Sequence, residues 1–161
     1  MNKLYVLVGV PGSGKSTWIG HQAFDWDNTV IVSTDRHVER YATSVGQTYN
    51  EVFKDYMPTA IGLMAESAQL AFAEGKDIVW DQTSTTIKTR AKKLRMAPDT
   101  YTKIAVVFNT PSPAIHARML DRPGKVIPEE VMQDMIARFE MPTVEEGFDN
   151  IIIARLLGVE L

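Results

Sequence analysis

The sequence predicts an α/β fold, a mostly parallel sheet between helices in three layers. Three observations predict it. Short Val- and Ile-rich runs alternate with longer amphipathic stretches. Those runs are almost continuously apolar, as strands buried on both faces of a parallel sheet must be. A glycine-rich turn, Gly9 to Ser16, joins the first apolar run to the first amphipathic stretch.

The first strand is expected at Lys3 to Val8, followed by a helix from Lys15 to Phe24. A second strand spans Thr29 to Ser33. Tyr49 to Asp55 is ambiguous, a loop or a short helix interrupted before Pro58. From Pro58 to Glu74 a helix is expected, because Ile61, Met64, Ala65, Ala68, Ala71 and Phe72 recur at helical spacing. Pro58 fits its first turn, where no N–H is needed. The third strand, Asp77 to Trp80, leads to a helix at Ile87 to Met96. A fourth strand at Thr102 to Phe108 precedes helices at Pro113 to Leu120 and Pro128 to Phe139, and a strand at Ile151 to Ile153 closes the pattern. Glu129 and Glu130 suit the positive end of the last helix.

A chain of 161 residues is expected to form one domain, residues 1–161, with a substantial core. Its composition is 45% hydrophobic and 23% charged, which excludes disordered, collagen-like and coiled-coil classes. The lack of cysteine excludes disulfides, a thiolate nucleophile and sulfur-ligated zinc. The three histidines, His21, His37 and His116, show no metal-binding helical spacing. The opening apolar run is too short for a membrane span and is expected to be neither signal nor transit peptide, so a cytoplasmic location is expected. The net charge of −3 gives no bulk argument for nucleic-acid binding, so any such argument must be local.

Gly9-Val10-Pro11-Gly12-Ser13-Gly14-Lys15-Ser16 matches GxxxxGK(S/T) at every fixed position, with a strand before it and a helix after. Glycines let successive backbone N–H groups approach phosphate oxygens without a Cβ in the way. Lys15 supplies charge to the β and γ phosphates, and the Ser16 hydroxyl can ligate Mg²⁺. The nucleotide contacts predicted are Gly9, Pro11, Gly12, Ser13, Gly14, Lys15, Ser16 and Thr17. The motif implies a bound nucleoside triphosphate.

Two acids close apolar strands. Asp35 follows the second strand, and if that strand neighbours the first, it faces the γ-phosphate, where a carboxylate can deprotonate an attacking hydroxyl. Thr34 or Asp35 could equally cap a helix starting at Arg36. Asp81 follows the third strand and could hold Mg²⁺, or serve as a turn residue. Its neighbour is Gln82 rather than a glutamate base, which argues mildly against water activation. Arg118 and Arg122, four apart, read either as a mobile lid over the phosphates or as a solvated helix end.

Lys88 to Lys103 carries six basic residues against one acidic. Lys88, Lys92 and Arg95 share a helical face that could track a polynucleotide backbone, or simply be solvated. Arg36 and Arg40 could grip a substrate phosphate. Tyr41, Tyr49 and Phe53 could stack on a base or belong to the core.

Taken together these motifs resemble the P-loop polynucleotide kinases and related small phage and bacterial kinases, from Leu4 to about Phe148. VPGSGKSTW after a glycine is close to that family's loop, and Asp35 and the Asp81 of WDQTS match its two acids. RMLDRPGKVIP matches its lid, with Arg118 and Arg122 in the arginine places, and the tail from Arg138 to Phe148 is similar to relatives of the group. The resemblance implies a three-layer P-loop kinase fold with a helical, arginine-bearing lid. It implies ATP and Mg²⁺ as cofactors, and Asp35, Lys15, Arg122 and Arg118 as catalytic residues. Ser16 and Asp81 would hold the metal, and Arg36, Arg40, Lys88 and Lys92 the substrate. The acceptor implied is a hydroxyl of nucleic acid, DNA before RNA and a 5′-OH end before others, with no membrane and no obligate protein partner. Where the family carries a phosphate-binding arginine three residues after its base, this chain has Val38. That departure keeps open a kinase for 5-hydroxymethyluracil bases within DNA. A small-molecule kinase and a nucleotide switch without transfer also stay open. A bifunctional enzyme with a 3′-phosphatase domain is not expected of this chain.

Overall fold

The computed structural model describes residues 1–109 and 124–154. Five strands form one sheet: β1 (Lys3–Val8), β2 (Thr29–Val32), β3 (Asp77–Trp80), β4 (Thr102–Val107) and β5 (Asn150–Ile153). Their order is β2-β3-β1-β4-β5, and every pair is parallel. Among the described residues the helices are α1 (Lys15–His21), α2 (Thr34–Val45), α3 (Tyr49–Ala73), α4 (Ile87–Met96) and α5 (Glu129–Ala137), and a 3₁₀ turn spans Val144–Glu146.

The alternation of side chains along each strand builds the three layers. Leu4, Val6 and Val8 join Ile78, Trp80, Ala105 and Val107 on one face, covered by Ala68, Ala71 and Phe72 of α3 and Leu94 of α4. Leu7, Val79 and Val106 lie on the other, covered by Trp18 and Ile19 of α1 and by Phe108. Both faces are buried, which is why these strands read as continuous apolar runs.

The structure corrects the sequence reading at several points. Thr34–Val45 forms a full helix, capped by the Ser33 hydroxyl accepting from Arg36 N at 3.4 Å and ended by Gly46 at φ +67°. The cap is therefore Ser33, and neither Thr34 nor Asp35. Tyr49 to Asp55 is the start of α3, which runs unbroken for 25 residues. Its true start signal is the capping box of Thr48 and Glu51. Pro58 stands inside this helix, not at its start. Pro58 and Lys54 are both exposed, so the carbonyl freed by the missing N–H can be hydrated. α1 ends at His21, short of Phe24.

In α4 the five cations divide. Lys88, Lys92 and Arg95 are exposed, whereas Arg90 and Lys93 are buried. Arg90 donates through Nε and Nη2 to Glu146 at 2.8 and 3.2 Å and through Nη1 to the Ser84 carbonyl at 3.0 Å. Ser84 itself adopts φ +45°, a conformation few non-glycine residues take. The Glu140 backbone and side chain meet Thr85 O and Ile87 N at 2.8 and 3.2 Å. The tail thus braces the corner between β3 and α4. The helix expected at Pro113 to Leu120, and the lid arginines Arg118 and Arg122, lie outside the described residues.

Candidate active site

The site grows from the carboxyl ends of β1 and β3, which are neighbours in the sheet. β2 lies beside β3, not beside β1, so Asp35 does not reach the phosphate loop by strand adjacency. It gets there as the second residue of α2.

After β1 the chain turns sharply. Gly9 N donates to Thr83 O at 2.9 Å, tying the loop to the end of β3. A Cβ on Gly9 would stand 2.5 Å from Ser13 Oγ and 2.9 Å from Phe108 Cβ, so only glycine fits. Gly14 takes φ +105° immediately before α1. Lys15 Nζ reaches back across the loop to the carbonyls of Gly9 and Val10, at 2.8 and 2.9 Å. A backbone cradle spanned by an ammonium fits the phosphates of a nucleotide. The hydroxyl of Ser16 and the carboxyl of Asp81 are hard oxygen donors, the kind Mg²⁺ takes alongside substrate phosphates. The residues present therefore fit both groups.

A cavity of about 1570 Å³ opens over this loop. Pro11, Gly12, Gly14, Lys15, Ser16 and Thr17 of the loop line it, with Asp81, Gln82 and Thr83 from the end of β3. Asp35, Arg36, Glu39 and Arg40 of α2 face it, with Tyr49 and Phe53 of α3 and Lys125 closing the side. Its volume exceeds the roughly 300–1,000 Å³ of a single-ligand pocket, leaving room for nucleotide and acceptor together. Gly9 and Ser13 sit behind the loop wall and shape it from within. Lys88 and Lys92 stand on α4 and do not line this cavity.

With Ser33 capping α2, the Asp35 side chain is left for other partners. Its Oδ1 accepts from the Tyr49 hydroxyl at 2.6 Å and its Oδ2 from Lys125 Nζ at 3.3 Å. Asp81 N donates to Val32 O at 2.8 Å, pinning the ends of β2 and β3 together. Burial pushes the Asp81 carboxyl above the usual range, and the nearby Lys15 ammonium opposes it. Gln82 accepts from Trp80 Nε1 at 3.0 Å and donates to Thr34 Oγ1 at 3.3 Å, a strut between β3 and the start of α2.

Val38 is fully buried against Ala42, Val52 and Ala60. The position where the resemblance has an arginine is core here, and α2 offers Arg36 and Arg40 to the cavity instead. Sequence reasoning assigned no role to Lys125 or Glu39 and saw Tyr49 as core or base-stacking. Two signals pointed to the site: the i, i+4 spacing of Asp35 and Glu39, and the basic residue in RPGKVIP.

The family model AAA_33, described as an AAA domain, matches residues 4–142. The chain belongs to this family. It is also 28% identical, over 92% of its length, to the bifunctional polynucleotide phosphatase/kinase of Schizosaccharomyces pombe, and spans about a third of that relative (32%). A chain of the Pnkp1/Rnl/Hen1 RNA repair complex superposes with a TM-score of 0.66 at 20% identity, covering 85% of this chain and 43% of that one. A sugar kinase from Janibacter superposes at 0.59 and 20% identity, over 96% and 85% of the two chains. These likenesses establish the P-loop kinase fold. Among the described residues no helix is long and apolar enough to cross a membrane.

Proposed function

We propose that the chain is an ATP-dependent kinase, working in the cytoplasm, that transfers the γ-phosphate to a hydroxyl of nucleic acid, foremost a 5′-OH end. The observation that carries this reading is one cavity lined both by the Lys15 loop and by Asp35. The similarity to a polynucleotide phosphatase/kinase supports the acceptor class.

Each residue has a stated task. The Gly9 to Ser16 backbone and Lys15 hold the β and γ phosphates. Ser16 and Asp81 would hold Mg²⁺, which when bound neutralises charge on the transferring group. Asp35 orients the acceptor hydroxyl and takes its proton as the new O–P bond forms and the bond from the γ-phosphorus to the bridging oxygen breaks, with ADP leaving. Arg36 and Arg40 meet phosphates of the acceptor strand, and Lys88 and Lys92 the backbone farther out. Arg118 and Arg122 would offset charge on the phosphoryl group.

The test is transfer from γ-labelled ATP to three acceptors in parallel: a 5′-OH oligonucleotide, a 5′-phosphorylated oligonucleotide with internal 5-hydroxymethyluracil, and a nucleoside and sugar mixture. Label on the first supports the proposal. Label only on the second or third moves the acceptor, and nucleotide binding without label refutes transfer. Asp35→Asn should lower kcat by about a hundredfold or more while ATP affinity holds. Equal losses in both would remove Asp35 from the base role.

A further inference from the structure

The Asp35 carboxylate is engaged on both oxygens, by groups from two distant parts of the chain. Each of those groups is itself fixed. Tyr49 opens α3 and packs against Phe53, ring centroids 5.4 Å apart. Lys125, just before α5, has a side chain only 17% exposed. Its ammonium lies 4.5 Å from the Tyr49 ring centroid and 2.7 Å from Glu39 Oε1.

The backbone around Lys125 is held as firmly. Asn50 N donates to Gly124 O at 3.0 Å, Asn50 Nδ2 to Val126 O at 2.9 Å, and Val126 N to Asn50 Oδ1 at 3.0 Å. One asparagine on α3 therefore grips the chain on both sides of the lysine. Gly124 adopts φ +74°, and a Cβ there would come within 2.9 Å of Thr48 Cβ. This strand of chain lies flat against the start of α3.

We propose that Tyr49 and Lys125 are the positioning residues of the acceptor step, holding Asp35 so that Oδ2 faces the attacking hydroxyl. The inference rests on the reading of Asp35 as the base. The distances assign the oxygen. Oδ1 takes the short bond from Tyr49, whereas among the described residues Oδ2 has only a long contact from Lys125. The closer partner of Lys125 is Glu39, which draws the ammonium aside and leaves Oδ2 a lone pair for the substrate. A carboxylate torsion is broad when unconstrained. A base must stand within hydrogen-bond reach of the proton it takes, so fixing that torsion raises the share of productive encounters.

The test compares Tyr49→Phe, Lys125→Met and Lys125→Arg, each alone and with Asp35→Asn. The readouts are single-turnover transfer from ATP to the acceptor labelled in the screen above, and nucleotide affinity by direct titration. Each of the first two variants should lower the rate about tenfold to a hundredfold, the loss of a hydrogen bond to a charged group. Nucleotide affinity should hold, and Lys125→Arg should recover most of the rate. In the Asp35→Asn background neither change should lower the residual rate further, because each acts only through that carboxylate. Losses of full size in that background, or a matching loss of nucleotide affinity, would overturn the inference. An unimpaired Asp35→Asn enzyme would instead sink the base reading itself, and the positioning role with it.

Discussion

Lys93→Met should stabilise this protein at neutral pH and lose that advantage as the pH rises. Lys93 is 7% exposed on the inner side of α4. Its ammonium donates to Thr89 O at 3.2 Å and lies 5.6 Å from the Trp80 ring centroid, and no carboxylate pairs with it among the described residues. Burial, with the charges of Arg90 and Lys92 adding to it, lowers its pKa from 10.5 to about 8. At about 1.4 kcal/mol per pH unit, keeping the charge inside costs about 3 kcal/mol at pH 7. The contact with Trp80 returns up to about 2 kcal/mol at a desolvated site. Methionine fills the same space, so the net gain from the substitution is about 1 kcal/mol. Between pH 8 and 10.5 the unfolded chain binds more protons at this site than the folded one, so the wild type gains stability as pH rises through that window. The difference between the two proteins should therefore shrink across it. Urea unfolding of both at several pH values between 7 and 10.5 measures this directly. A difference that stays flat, or a methionine variant less stable at pH 7, would refute the burial argument.

Two further changes test the scaffold of the site. Gly9→Ala places a Cβ against Ser13 Oγ and Phe108 Cβ, so the loop must open. Stability should fall by about 1–3 kcal/mol, and nucleotide affinity by about tenfold or more, which is about 1.4 kcal/mol; calorimetric titration with ATP checks the second. Arg90→Ala leaves the Glu146 carboxylate, 6% exposed, without its cation and the Ser84 carbonyl without its donor. A loss of about 3–5 kcal/mol is expected, read as a lowered Tm, and a melting curve matching wild type would show the pair to be dispensable.

The central strands β1, β3 and β4 were legible because they are buried on both faces, and burial leaves an unbroken apolar run in the sequence. β1, β3 and the phosphate loop fall where the apolar runs and the glycine spacing put them. α2 was read only as one of two alternatives, a capped helix from Arg36, because it buries only Thr34, Val38 and Ala42, too few to stand out as a periodic stripe. At Pro58 the general rule that proline starts helices outweighed the local capping signal at Thr48 and Glu51. Counting charges in α4 could not tell outward lysines from inward ones. What turns Arg90 inward is Glu146, 56 residues away. Lys125 meets Asp35 across 90 residues, and no local pattern encodes that meeting.

The brace at the β3–α4 corner also sets an order of events during synthesis. Gly9 takes its loop geometry partly from Thr83, whose neighbour Ser84 is held by Arg90, which is in turn neutralised by Glu146. The phosphate cradle leaves the ribosome before Glu146 does, and its last support arrives well over a hundred residues later. At roughly 5–20 residues per second, that gap lasts on the order of ten seconds. During it the cradle lacks its final shape, and nucleotide can lend little stability to the growing chain. Any stabilisation by a bound nucleotide then waits for the folded cradle, and the apolar strands made before it must stay out of trouble without that help.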